Sequence, residues 1–298
     1  MSTQVVKVAL VQDGTIIYDT PATLIKVEEL VKKAASNGAQ LVLFPESFVG
    51  GYPKGLNFGV SLGSRTEEGR SEFARYFSAS IAYDSEQSET LAKIALQYKI
   101  YLVIGVVERD GATLYCSVFY YGPDGAKLGK HRKLIPTALE RVVWGNGDGS
   151  TMEVVSSEVG KFGALICWEN YMPLGIQLYL APTVDDRDVW LSTMKTIALE
   201  GRCFVLSACQ FLKGNNFPAG HPSTLDGDKI LIRGGSCAVS PLGTVLVEPT
   251  FGVEGIFYAE CDLAEIIKGK FDLDTVGHYS RPDIFQLIVN DKPQNGIQ

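Results

Sequence analysis

The sequence has 298 residues, of which 46% are hydrophobic and 20% charged, and a formal net charge of -7. That length and polarity suit a globular chain with a sizeable core. The acidic balance leaves no basic stripe to neutralise phosphates, which argues against a nucleic-acid partner.

In chain order, VVKVALVQ at residues 5–12 reads as a strand. Residues 21–37 place Leu24, Val27, Leu30, Val31 and Ala34 at helical spacing and stop at Gly38, an amphipathic helix. AQLVLFPE follows as a second buried strand, ended by Pro45. Strand, helix, strand is the opening of a layered α/β fold. Residues 50–80, rich in Gly, Ser and charge, read as a long and mostly surface excursion. A helix over 85–98 leads to the strands YLVIGVVE and TLYCSVFYYG, and the turn PDGAKL predicts a hairpin. Residues 130–150 read as a loop with a short helical piece. EVVSS, GKFGALIC and IQLYLAP are strand-like, and a helix is expected over 188–201. CFVLSACQF is a further buried strand, SCAVS and TVLVEP form a hairpin through PLG, and GIFYAECD closes the set. With no linker or composition shift, one domain over residues 1–298 with a short C-terminal tail is the simplest organisation.

The six cysteines lie mostly in apolar runs and form no C-x-x-C pair, a reduced pattern rather than a disulfide framework. No signal-like leader and no apolar run of spanning length is evident, so the expectation is a cytoplasmic protein without a membrane partner.

Chemistry concentrates where apolar runs stop. Gly163-Ala-Leu-Ile-Cys167 puts a thiol at a strand's end, where it is either an inert buried cysteine or a nucleophile presented to a cleft. Glu46 follows LVLFP directly, as an exposed strand-end charge or as a base whose pKa burial raises. Lys133, in HRKLIP, is a solvated charge or a cation for a developing anion. Gly59-Val-Ser61-Leu-Gly63 matches G-x-S-x-G, but no strand precedes it and no helix is expected after it, so a serine nucleophile is disfavoured. His131, His221 and His278 read as isolated, with no metal-ligand spacing, and GNGDGS lacks phosphate-loop spacing; neither a metal nor a cofactor is expected. Tyr52, Trp144, Trp168 and Tyr171 are candidate substrate-pocket residues or packing.

Three separated motifs, LFPESFVGGYP, HRKLIPTALERVVWGNGDGS and ICWENYMPL, backed by IALEGRCFVLSACQF and GGSCAVSPLGTVL, make the chain resemble the nitrilase superfamily over nearly its whole length. The Tyr-Pro after the first motif together with Cys-Trp-Glu-Asn resembles the nitrilase branch rather than the amidases. The resemblance implies a four-layer α-β-β-α sandwich. It assigns Glu46 as general base, Lys133 as the cation stabilising charge on nitrogen, Cys167 as nucleophile, and Glu140 as a second glutamate holding Lys133. It implies hydrolysis of a small organic nitrile to acid and ammonia. An amidase, a nitrile-hydrating or cyanide-degrading member, and a weakly active scaffold are the alternatives. After Leu174 the chain runs straight into GIQLYLAPT, where the branch usually continues in a helix of a subunit interface. A homodimer or larger homo-oligomer is therefore expected, weakened at that surface.

Overall fold

Alternation along the apolar runs sets the layering. In β1 (Val5–Gln12), Val8 and Leu10 face one core and Ala9 and Val11 another, all fully buried. A strand buried on both faces needs a layer on each side. A computed structural model describes residues 4–170, 175–224, 226–286 and 288–294 and contains those layers.

The first sheet joins β1 to β2 (Leu41–Leu43), β3 (Tyr101–Asp110), β4 (Thr113–Tyr121) and β5 (Lys127–Arg132), with β14 (Gly255–Asp262) on the other side of β1. β1, β2 and β3 are parallel, whereas β14, β4 and β5 run antiparallel to their neighbours. The second sheet is ordered β6 (Val155–Ser157), β7 (Gly160–Ala164), β8 (Leu178–Leu180), β9 (Phe204–Ser207), β12 (Cys237–Val239) and β13 (Val245–Val247). Its pairings repeat the succession of the first: antiparallel, two parallel, two antiparallel. A ribbon of β10 (Phe211–Lys213) and β11 (Ile230–Arg233) stands apart.

The inner faces meet in one core, where Leu10, Leu43 and Val103 pack with Phe162, Leu178 and Leu206. Each fully buried side chain of this size stabilises the fold by about 1.5–3 kcal/mol. On the outer face of the first sheet, α1 (Thr20–Ser36) and α3 (Glu86–Tyr98) bury Val27, Val31, Leu91 and Ile94 against Val42 and Ile104. α4 (Trp190–Gly201) does the same for the second sheet through Trp190, Met194 and Ile197. The result is the expected α-β-β-α sandwich, with mixed sheets inside and helices outside. Among the described residues no helix is long and apolar enough to cross a membrane.

Three expectations are corrected. The excursion at 50–80 contains α2 (Glu67–Ala79), started by Thr66, whose hydroxyl accepts from the Gly69 amide, and by Glu67 and Glu68 in its first turn. Its inward side is narrow, but Tyr76 is buried and donates to the Gly51 carbonyl at 2.9 Å. Residues 130–132 are strand rather than loop, because β5 pairs with β4 as far as Arg132. The β10–β11 ribbon and α5 (Ala264–Gly269) were not anticipated. Residues 171–174 lie outside the described chain; from Gly175 the backbone passes directly into β8 without a helix.

Candidate active site

Three of the four expected site residues follow a strand and the fourth sits in a 3-10 turn, and the folding of the two sheets brings them to one place. Beyond β2 the Phe44 amide donates to the Val103 carbonyl at 2.9 Å, Pro45 ends the ladder, and Glu46 is fully buried. The turn crosses β3 only because residue 105 is glycine. A Cβ there would lie 2.1 Å from the Pro45 oxygen and 2.7 Å from the Glu46 Cα. Lys133 comes immediately after β5, with its amide donating to the Cys116 carbonyl at 2.8 Å. Glu140 lies in a 3-10 turn, Ala138–Val142, whose start it caps by accepting from the Thr137 amide at 2.7 Å.

Cys167 stands three residues past β7 in the left-handed region, φ 56°, which is rare for a residue with a side chain. Its amide donates to the Pro182 carbonyl at 2.9 Å, so the elbow is tied to the end of the neighbouring parallel strand. In layered α/β sheets this is the end at which ligands bind.

Lys133 links the carboxylates. Its Nζ donates to Glu46 Oε1 at 2.7 Å and to Glu140 Oε2 at 2.9 Å, and the Tyr52 hydroxyl donates to Glu140 Oε1 at 2.8 Å. The Cys116 thiol lies 3.4 Å from Glu46 Oε1, whereas Glu46 Oε2 is buried without a protein partner. Burial raises the Glu46 carboxyl, with Lys133 pulling it back and Glu140 pushing it further. Burial and then the Glu46 charge push the Cys167 thiol up to about 12, with Lys133 opposing. Burial also works against the Lys133 ammonium, but Glu46, the two thiols and Glu140 outweigh it and hold the proton on. These mutual effects place Glu46, Lys133, Glu140 and Cys167 in one electrostatic unit.

A further carboxylate, to which the sequence alone gave no role, ties this unit together. Glu169 is buried and accepts from the Ile166 amide at 2.8 Å and the Leu134 amide at 2.7 Å, and its Oε2 lies 2.8 Å from His131 Nε2. It thereby joins the cysteine elbow to the lysine loop. His131 is thus not isolated, which corrects the reading above. The spacing of alternate residues could have signalled it: His131 and Lys133 flank Arg132, and Cys167 and Glu169 flank Trp168.

The four aromatic candidates separate. Tyr52 lines a cavity of about 350 Å³ together with Leu56, Phe58, Val60, Leu139 and Glu140. Trp144 does not line it; it is buried in the inter-sheet core and packs edge-on against Tyr52, with ring centroids 5.8 Å apart. Trp168 is 47% exposed, edge-on to Trp190, and donates from Nε1 to Asp185 at 2.6 Å, so it is also outside that cavity. Tyr171 lies outside the described residues. Ser61 of the G-x-S-x-G match is exposed in a tight turn closed on Ser64; against expectation a helix, α2, follows from Glu67, but no strand of either sheet leads into the turn, so the strand-turn-helix setting such a motif needs is not met. Among the described residues no group of three His, Cys, Asp or Glu side chains is arranged to hold a metal.

A family profile described as carbon-nitrogen hydrolase matches residues 7–271. The chain is 51% identical over 307 aligned residues to the bifunctional nitrilase/nitrile hydratase NIT4A of Lupinus angustifolius, covering 98% of this chain and 88% of that one. That alignment is longer than the chain itself, so the lupin protein has residues without a counterpart here. The aliphatic nitrilase of Sinorhizobium fredii (strain HH103) is 50% identical over 301 residues, with coverage of 98% and 97%. In fold, XC1258 from Xanthomonas campestris, a CN-hydrolase superfamily protein, gives a TM-score of 0.71 at 15% identity, covering 96% of this chain and 100% of that one. Fold, family profile and half-identical relatives agree: the chain belongs to the carbon-nitrogen hydrolase family, on its nitrilase branch, and is an enzyme acting on carbon–nitrogen bonds.

Proposed function

We propose that the protein converts an organic nitrile to the carboxylic acid and ammonia through a covalent adduct on Cys167, with the amide as a second product. The observation that carries this reading is the Lys133 ammonium, hydrogen-bonded to Glu46 and Glu140 and coupled to the Cys167 thiol in one buried site. Attack of sulfur on a nitrile carbon puts negative charge on nitrogen, and a fixed ammonium stabilises it.

Glu46, through its unpartnered Oε2, takes the Cys167 proton as sulfur adds to the nitrile carbon, giving a thioimidate. Lys133 and the Glu46 carboxyl supply hydrogen bonds and a proton to the nitrogen. Water then adds, ammonia leaves, and a thioester remains for a second water to open. Glu140 keeps Lys133 in place and is itself kept by Tyr52 and the Thr137 amide. The names of the lupin and Sinorhizobium relatives support a nitrile substrate, and the lupin name supports counting amide beside acid. The cavity behind Tyr52 and Glu140 suits an apolar organic group.

The test is to measure ammonia, acid and amide from aliphatic, aromatic and arylaliphatic nitriles and cyanide, with Cys167→Ala beside the wild type. Product from the wild type alone is expected. Equal product from both, or none from any nitrile, would remove the reading.

A further inference from the structure

Thr183 is fully buried just past β8, and its backbone is fixed on both sides. Its amide donates to the Ala208 carbonyl at 3.0 Å, and its carbonyl accepts from the Gln210 amide at 3.2 Å. The preceding residue, Pro182, supplies the carbonyl that holds the Cys167 amide. The side chain is constrained as well. Oγ1 accepts from the Asp185 amide at 2.9 Å and lies 3.3 Å from Cys167 Sγ. A hydroxyl has one hydrogen. With the amide on its lone pair, that hydrogen is directed at the sulfur.

We infer that this hydroxyl governs how the tetrahedral adduct breaks, and that it opens the route to amide. The inference rests on the nitrile reading above. Once water has added to the thioimidate, the carbon bears a hydroxyl, an amino group, the Cys167 sulfur and the organic group. In one route the hydroxyl proton passes through Glu46 to nitrogen, the C–N pair leaves with ammonia, and the thioester remains. In the other, Glu46 takes the same proton, the C–S pair goes to sulfur, and amide departs. Glu46 then returns the proton to the thiolate. Lys133 and Glu46 serve the nitrogen. The Thr183 hydroxyl serves the sulfur, and at the step where the two routes part, charge develops there only in the second; the later opening of the thioester comes after the partition. A hydrogen bond to a charged group is stronger than one to a neutral group, so the hydroxyl favours the second route selectively.

The experiment quantifies amide and acid from one accepted nitrile for wild type, Thr183→Val and Thr183→Ser. The rate of alkylation of Cys167 by iodoacetamide at one neutral pH is measured in parallel, without nitrile and resolved from the other cysteines by peptide mass spectrometry. Loss of the hydroxyl is expected to lower the amide-to-acid ratio about tenfold, the scale of one charge-assisted hydrogen bond. It is also expected to slow the alkylation, because charge on sulfur loses its hydrogen bond, and serine should restore both. Thr183→Ala removes the same hydroxyl with less bulk should the valine variant fold poorly. A ratio that is unchanged or rises, or a wild type that makes acid alone, overturns the inference. Neither product from the wild type would instead sink the nitrile reading. An alkylation rate that is unchanged shows that the hydroxyl does not act on sulfur, whatever the turnover, and overturns the inference too.

Discussion

Burial raises both Glu46 and Cys167, and that shared direction constrains how the site works. A thiol at about 12 does not supply a standing thiolate near neutral pH. The reactive sulfur exists only while Glu46 holds its proton, with Lys133 beside both. Glu46 must therefore start as a carboxylate. Because its pKa is raised, activity is lost as pH falls through a value above the ordinary carboxylate range. On the alkaline side the thiol contributes no limb below about 12. The expected profile of kcat/KM has an acid limb displaced upward and an extended plateau. A limb at the ordinary carboxylate value would show that the burial of Glu46 does not govern its titration. Glu46 and Cys167 were legible because each stands where an apolar run stops, and Lys133, in a short basic run, because the motif around it gives that position chemical meaning. Thr183 was not, since a threonine after LYLAP reads as the polar end of a buried strand. Only the pairing of β7 with β8 puts its hydroxyl on the sulfur.

Between elements, Glu169 connects the end of β7 to the end of β5 without touching the proposed chemistry. Its oxygens take two backbone amides, the Ile166 amide in a buried setting and the Leu134 amide in a partly buried one, and meet the buried His131. Removing the carboxylate by Glu169→Ala takes the acceptor from the buried Ile166 amide and from the partly buried Leu134 amide. A loss of about 3 kcal/mol or more is expected, read from urea unfolding. The elbow should loosen with it, so kcat falls even where the variant remains folded; a displacement of about 1 Å can cost ~10²-fold. Wild-type stability and kcat together would show that the brace is dispensable. The brace was hidden from the sequence because Leu134 and His131 lie 35 and 38 residues from Glu169, one just past and one within β5 of the other sheet. The long, doubly buried strands were legible because period-two alternation and unbroken apolar runs survive in them. α2 was not, because only Gly69, Tyr76 and Ala79 of its thirteen residues are buried and its acidic first turn resembles a loop. β10 and β11 are three and four residues long, too short for a period to be counted.

At the scale of the whole molecule, the end of the chain presents apolar surface to solvent. Phe271, Phe285 and Ile288 are 89%, 75% and 87% exposed. The Gln294 amide donates to Asp148 at 2.8 Å, and the Asn290 carbonyl lies against Gly149, which holds the tail near the loop after Lys133. We read these exposed apolar side chains as a surface for self-association. The direct run from Gly175 into β8 offers little to a partner there, in a chain shorter than its alignment to the lupin relative. We therefore expect self-association to depend on the tail. Light scattering after size-exclusion should give a multimer for the native chain and a smaller species for Phe285→Ser with Ile288→Ser. A native monomer would mean that the exposed tail is not an interface. A multimer that survives both substitutions would move the contact to another face. Because the tail is held at Asp148 and Gly149, one and two residues past the Gly147 amide that donates to the Lys133 carbonyl at 2.8 Å, an assembly formed through it would press on the loop carrying Lys133. Dissociation should then lower kcat as well as mass.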